Sequence, residues 1–223
     1  LSEEGVLSSG LINSEADMDD SLSLAQAITC VSRPIQRAAL PKKYNPKWGV
    51  PGDLKGKQVV KACASTLNSG VKIIPNESVL PDVLPTIEKG AISEINRLKR
   101  VGGYKPVLVE EYLEGPAFEI DGVCGPRGLE ICFNGLQQTW QGEKIIKYEI
   151  VARSIQVELE EVAAEITHTL GLRRCGFSIE LRSNPWKVIE INGRVGEDGG
   201  DYYSLLSPTI NPMQVLFDIC NKP

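Results

Sequence analysis

Phe177-Ser178-Ile179-Glu180-Leu181-Arg182 and, after the turn Ser183-Asn184-Pro185, Trp186-Lys187-Val188-Ile189-Glu190-Ile191-Asn192 decide how this chain is read. Side chains alternate along a strand, so Ser178, Glu180 and Arg182 share one face. On the second strand the same alternation puts Val188, Glu190 and Asn192 on one face and Ile189, Ile191 and, in part, Lys187 on the other. A hairpin between the strands sets Glu180 beside Glu190, with Asn192 two positions on. Two carboxylates and an amide oxygen are hard donors. The carboxylates repel each other unless a cation lies between them, and Mg2+ favours such sets when phosphate oxygens and water complete them. The plainer reading is a pair of solvated acids on an exposed sheet face.

The residues that follow favour the metal reading. Asn192-Gly193-Arg194 runs into Val195-Gly196-Glu197-Asp198-Gly199-Gly200-Asp201. A flexible loop after a metal ligand can close over a substrate, and Arg194 is placed to pair with a phosphoryl oxygen. Arg182 and the Gly196–Asp201 loop are candidate substrate contacts. Far upstream, Lys61 lies on the apolar strand Gln58–Cys63, directly before the small-residue turn Ala64-Ser65-Thr66-Leu67-Asn68-Ser69-Gly70. A strand lysine next to a turn of free backbone N–H groups suits a polyphosphate. The alternative is a gatekeeper charge on an edge strand. No G-x-x-x-x-G-K-[ST] or G-x-G-x-x-G occurs, which excludes the P-loop and dinucleotide fingerprints. Val107-Leu108-Val109-Glu110-Glu111-Tyr112-Leu113-Glu114-Gly115-Pro116 is an apolar strand entering an acidic bend whose backbone can offer a donor and an acceptor to a base edge.

Around these motifs the pattern predicts helices over about 21–30, 82–100 and 155–170 and a last one from about Pro212, with Asn211 as its N-cap. Val71–Ile74 reads as a strand, and 117–124 with 128–134 as a hairpin turned at Gly125-Pro126-Arg127. Gly171 stands where a left-handed helix cap is expected. Pro41, Pro46 and Pro51 with Gly49, Gly52 and Gly56 mark a loop. The alternation lacks a regular βαβ rhythm and so predicts α+β with largely antiparallel sheets.

Bulk properties exclude more than they assign. The chain has 223 residues, 42% hydrophobic, a net charge of -5 and a pI of about 5.1, which gives no support to nucleic-acid binding. No apolar run approaches a membrane span. Neither a charged leader nor an initial Met is present, so we expect no signal peptide, a trimmed amino terminus and a cytoplasmic setting. The six cysteines contain no C-x-x-C pair and only one His accompanies them, against structural zinc. They read as reduced thiols, with Cys124 and Cys132 able to face each other across the hairpin. His168 reads as a helix-surface residue, and Trp140 and Tyr112 as packing groups. Residues 1–22 are polar and low in aromatics.

In their order, these pieces resemble the ATP-grasp superfamily from about Gln58 to Asp201. The elements that carry the resemblance are the strand lysine with its loop, the E-E-Y-L-x-G-P hinge and the strand pair G-F-S-I-E-L-R and V-I-E-I-N-G-R. Carboxylate–amine ligases, including L-amino-acid ligases, are the most similar branch. The resemblance implies two α+β subdomains with antiparallel sheets holding a nucleotide between them. Their expected bounds are 57–112 (the lid) and 113–223 (with the metal site), after a truncated or partly ordered region 1–56. It implies that Lys61 contacts ATP phosphates, that the loop from Ser65 to Gly70, Ser65 and Ser69 within it, covers them, and that Glu110, Glu111, Tyr112 and Leu113 hold the adenine, Glu111 and Leu113 mainly through backbone. Glu180, Glu190 and Asn192 would bind two Mg2+ ions, or Mn2+ in their place. Arg194 would stabilise an acyl phosphate made from a small-molecule carboxylate and attacked by an amine. A homodimer is a further family trait.

The chain departs from the family pattern in three places. The glutamate that grips the ribose usually follows the hinge G-P directly, where this chain has Ala117; Glu119 is next on that strand face and either substitutes or leaves ribose binding weaker. The phosphate loop is rich in Ser and Asn, with Gly70 its only glycine. Residues 1–57 are too few for the family's amino-terminal domain. These departures keep open a non-catalytic nucleotide-binding module or one part of a split enzyme. The same fold could also carry carboxylation or phosphorylation of a small molecule.

Overall fold

The computed structural model describes residues 23–63, 70–98, 107–141, 144–196 and 212–220. The expectations for 1–22, Ser65, Ser69, 197–201 and Asn211 lie outside them. The elements are α1 (Leu24–Val31), α2 (Arg33–Ala39), β1 (Trp48–Gly49), β2 (Gln58–Ala62), β3 (Val71–Ile74), α3 (Leu80–Leu98), β4 (Val107–Glu111), β5 (Ala117–Gly125), β6 (Gly128–Cys132), β7 (Leu136–Gln141), β8 (Lys144–Ile150), α4 (Arg153–Thr169), β9 (Cys175–Arg182), β10 (Lys187–Asn192) and α5 (Pro212–Cys220). Among the described residues every strand pair is antiparallel, as the irregular alternation of elements predicts.

The chain divides into two compact units: Ser32–Ala38 with Asn45–Glu114, and Leu1–Val31 with Ala39–Tyr44 and Gly115–Pro223. This differs from the expected division at 56 and 112. The stretch before residue 57 is not a unit of its own, because Trp48 and Gly49 pair with Glu110 and Val109 and so extend the smaller sheet. The later boundary falls at Glu114–Gly115, where Gly115 takes a φ of 98°.

The smaller unit carries a four-stranded sheet in the order β1-β4-β2-β3. Its core is Val60, Ala62, Ile74, Leu80, Ile87, Val107 and Val109, with Val83 and Leu84 of α3 packed on it. β2 is therefore an interior strand, and Lys61 is no edge gatekeeper. A short 3-10 turn, Glu77–Val79, leads into α3, and the side chain of Asn76 caps it by accepting the Ser78 N–H.

The larger unit has a six-stranded sheet in the order β10-β9-β5-β7-β8, with β6 on β5. β7 and β8 form a hairpin that the sequence reading left unassigned. α4 buries Leu159, Val162, Ile166 and Leu170, the predicted stripe. Gln156 on the same helix accepts the Gly135 N–H at 2.6 Å and donates to the Phe133 carbonyl at 3.1 Å. α4 ends in a Schellman arrangement: the Leu172 N–H reaches Thr167 O, the Gly171 N–H reaches His168 O, and Gly171 has a φ of 65°. Gly122 has no substitute, since a Cβ there would stand 2.3 Å from the Ile131 carbonyl and 2.6 Å from the Phe177 ring.

One face assignment is corrected. Val188 does not share a face with Glu190. It pairs with Leu181 and is fully buried, as is Ile191 opposite Ile179. A register shift between Val188 and Glu190 supplies the reason: the extra residue of a β-bulge flips the strand from its core face to its polar face. Glu190 and Asn192 keep the polar face because of that bulge.

Candidate functional site

In the larger unit, the ladders align two transverse rows of side chains across β5, β9 and β10. Glu119 faces Glu180, which faces Glu190. One step along, Asp121 faces Ser178, which faces Asn192. Directly opposed residues lie about 5 Å apart at Cβ, and like charges so placed repel. The first row is three acidic residues in register across three strands, and like charges opposed in this way are mutually unfavourable. The expected neighbourhood of Glu180, Glu190 and Asn192 is thus present, and Glu119 joins it through the third strand.

Glu119 and Asp121 are buried, at 4% and 0% exposure. The oxygens of Glu119 accept from Gln138 Nε2 at 3.0 Å and from Ser178 Oγ at 3.2 Å. Asp121 Oδ2 accepts the Gly196 N–H at 3.1 Å. Burial, then the Glu119 carboxylate, push the Asp121 carboxyl well above the usual Asp range, against the donors Ser178 and Gly196 and the charge of Arg194. Arg194 follows β10 and is half-buried. Arg182, a candidate substrate contact, donates from Nη1 to the Gly115 carbonyl at 2.5 Å and so ties the end of β9 to the turn before β5.

In the smaller unit, Lys61 and Glu110 are both buried and lie 2.7 Å apart, Nζ to Oε2. Arg37 of α2 takes the other carboxylate oxygen with Nε at 2.5 Å. Arg33 is buried on the same helix and donates to the Ala62 carbonyl at 2.7 Å. Burial alone would raise the Glu110 carboxyl, but Arg37 and Lys61 outweigh it and hold it down at about 2. For Lys61 the balance runs the other way. Desolvation, with the charges of Arg37 and Arg33, lowers it more than Glu110 raises it. The cluster therefore sets Lys61 and Arg37 on the Glu110 carboxylate, with the charge of Arg33 also felt by Lys61, an excess of positive charge that favours an added anion.

The bend after Glu110 is partly committed. Glu111 donates its N–H to the Lys47 carbonyl and accepts the Lys47 N–H on its carboxylate. Tyr112 donates its N–H to Lys57, whose Nζ lies 3.4 Å from the Tyr112 ring centroid. Ala117, directly after the hinge Gly115-Pro116, is buried at 1% exposure. Its neighbour Glu119 already has partners on both oxygens.

Among the described residues, no three Asp, Glu, His or Cys side chains converge as a metal cage. The donor set nevertheless fits Mg2+: two opposed carboxylates and an amide oxygen leave coordination places for phosphate and water, which is how Mg2+ is usually held. Sequence reading missed Arg37, Asp121 and Gln138. The alternation Ala117, Glu119, Asp121 could have found Asp121. Nothing local to Arg37 marks it, since its partner lies 73 residues away. His168 is exposed, as expected for a helix-surface residue, and Cys30, Cys63, Cys124, Cys132 and Cys175 are free thiols.

The ATP-grasp domain family matches residues 55–200, and the chain belongs to it. Among solved structures, an L-amino acid ligase from Bacillus licheniformis superposes with a TM-score of 0.75 at 20% identity, covering 94% of this chain and 54% of that one. Biotin carboxylase from Campylobacter jejuni gives a TM-score of 0.72 at 14% identity, covering 94% of this chain and 50% of that one. The D-alanine–D-alanine ligase of Coxiella burnetii gives 0.67 at 12%, covering 95% and 64%. At these identities the likeness is one of fold, and the chain spans between half and two thirds of each of these proteins. Comparison with curated proteins gives no significant match.

Proposed function

We propose that this chain carries the ATP-binding and metal-binding part of an ATP-dependent carboxylate–amine ligase that works through an acyl phosphate. The observation that carries the reading is the row Glu119–Glu180–Glu190, three directly opposed carboxylates with Asn192 and Arg194 beyond them. In support, the biotin carboxylase of Campylobacter jejuni was solved as a β-γ-ATP complex and a Staphylococcus aureus relative of the fold with ADP.

Glu180, Glu190 and Asn192 would hold Mg2+, which supplies charge neutralisation to the polyphosphate when bound. Lys61 pairs with phosphate oxygens, and the Leu113 backbone takes the adenine edge. Arg194 stabilises the charge that gathers on the transferred phosphoryl group as the carboxylate attacks the γ-phosphorus and the bond to the β,γ-bridging oxygen breaks, releasing ADP. An amine then displaces phosphate from the acyl phosphate. The protein contributes position and fixed charge, with no covalent enzyme intermediate.

The test is ADP formation over a panel of carboxylates and amines. The reading expects ADP only when Mg2+, a carboxylate and an amine are all present, and loss of turnover in Glu190→Ala. Full turnover in Glu190→Ala removes the metal assignment. A second reading, a nucleotide-binding module without turnover, rests on Ala117 at the ribose position with both Glu119 oxygens already engaged. Calorimetric Mg-ATP binding with no ADP formed over the whole panel would favour it.

A further inference from the structure

The chain leaving β10 does not simply run off the sheet. Val195 packs against the cluster Val123, Phe133 and Ile219. It can do so because residue 176 is glycine: a Cβ on Gly176 would lie 3.0 Å from both the nitrogen and Cγ2 of Val195. The next residue, Gly196, is buried on the carboxylates of β5. A Cβ on it would stand 2.3 Å from Glu119 Oε1 and 3.2 Å from Asp121 Oδ2. Its N–H donates to Asp121 Oδ2 at 3.1 Å. Residues 195–196 are thus held by the packing of Val195, by the Gly196 hydrogen bond to a fully buried acceptor, and by Arg194 Nη1, which donates to the Val195 carbonyl at 3.3 Å.

We propose that Asp121 is a positioning residue. Its hydrogen bond to the Gly196 N–H seats the Arg194–Gly196 segment on the sheet and so fixes the direction of the Arg194 guanidinium. This inference deepens the ligase reading, because Arg194 is the residue given the transferred phosphoryl group there. Asp121 is fully buried, at 0% exposure, so the role given to it is exerted on Arg194 and not on the nucleotide or substrate. Its effect passes through the backbone of 195 and 196, beside the direct attraction between its carboxyl and the Arg194 charge. A bond of this kind matters because a displacement of about 1 Å in a positioned charge costs about 100-fold in rate.

Two readouts separate the anchor from the reaction. The first needs no activity. Trypsin cleaves after arginine, and the seated segment shields the Arg194–Val195 bond. Asp121→Ala frees the segment, so cleavage at Arg194, followed by mass spectrometry under native conditions, accelerates by about tenfold or more. Asp121→Asn retains an acceptor oxygen for the Gly196 N–H, and its cleavage stays near the wild-type rate. Gly196→Ala, which unseats the segment from the other side, follows Asp121→Ala. Equal cleavage in all four proteins overturns the anchor, whatever the enzyme does. The second readout is kinetic. Asp121→Ala lowers kcat by about 100-fold with the Mg-ATP dissociation constant within about twofold, and Asp121→Asn restores most of kcat. A freed segment with unchanged kcat overturns the link to Arg194. Absence of turnover in the wild type would instead count against the ligase reading and leave the proteolysis result to decide the anchor.

Discussion

Lys61 and Glu110 lie 2.7 Å apart inside the smaller unit, and Arg37 holds the second oxygen of the same carboxylate at 2.5 Å. Removing the carboxylate leaves buried cations with no counter-charge. Glu110→Gln is expected to cost about 3–5 kcal/mol of stability in urea denaturation at neutral pH. A loss below about 1 kcal/mol would show that the cluster is solvated in the native state.

The same group sets a pH dependence. Glu110 is held at about 2 against an ordinary 4.5. A depressed carboxylate stabilises the fold fully above its unfolded pKa, and that contribution is lost as pH falls from about 4.5 toward about 2. Denaturation curves over that window should lose stability faster in the wild type than in Glu110→Gln. Parallel slopes would remove Glu110 as the cause.

Lys61→Met should behave differently. Arg37 still neutralises Glu110, and the buried ammonium already suffers from desolvation. The substitution is expected to cost less stability than Glu110→Gln, about 1–2 kcal/mol, while weakening Mg-ATP binding by about tenfold or more. Calorimetry and urea denaturation on the same preparation check both halves. Unchanged nucleotide affinity would reduce Lys61 to a structural counter-ion.

Glu180 and Glu190 oppose one another directly. Without metal, Glu180→Gln removes one like-charge contact and should leave thermal stability unchanged or raise it by a few tenths to about 1 kcal/mol. With Mg-ATP present, the same variant should lose the thermal shift that the wild type shows. A variant less stable without metal and equally shifted by Mg-ATP would place the cation elsewhere.

Gly171 holds the cap of α4 with a φ of 65°. Gly171→Ala is expected to cost about 1–2 kcal/mol, because an L side chain is crowded there, and Gly171→Asn less. Thermal denaturation orders the three proteins. Equal stability for Ala and Gly would mean that the cap relaxes.

Much of the fold is local and was legible for that reason. The helix stripe Leu159, Val162, Ile166 and Leu170, the cap at Gly171 and the strands around Lys61 and Glu190 follow from periodicity and turn chemistry within about a dozen residues. The β7–β8 hairpin escaped because its faces differ in burial. Ile146 and Ile150 are exposed while Leu136 and Gln138 are buried, so no apolar alternation marks it. Val188 was given the wrong face because a bulge inserts a residue without any local signature.

The sequence by itself determined an α+β chain with antiparallel sheets, the motif order of the ATP-grasp family, and the pairing of Glu180 with Glu190. These depend on alternation within a strand and on one short turn. Only the tertiary structure decided that Glu119 completes the carboxylate row, that Arg37 shares Glu110 with Lys61, and that Asp121 holds Gly196. Asp121 and Gly196 are 75 residues apart, and Arg37 and Glu110 are 73. Contacts of that span are set by which strands become neighbours and which side chains lose water together, and no short window of sequence encodes either.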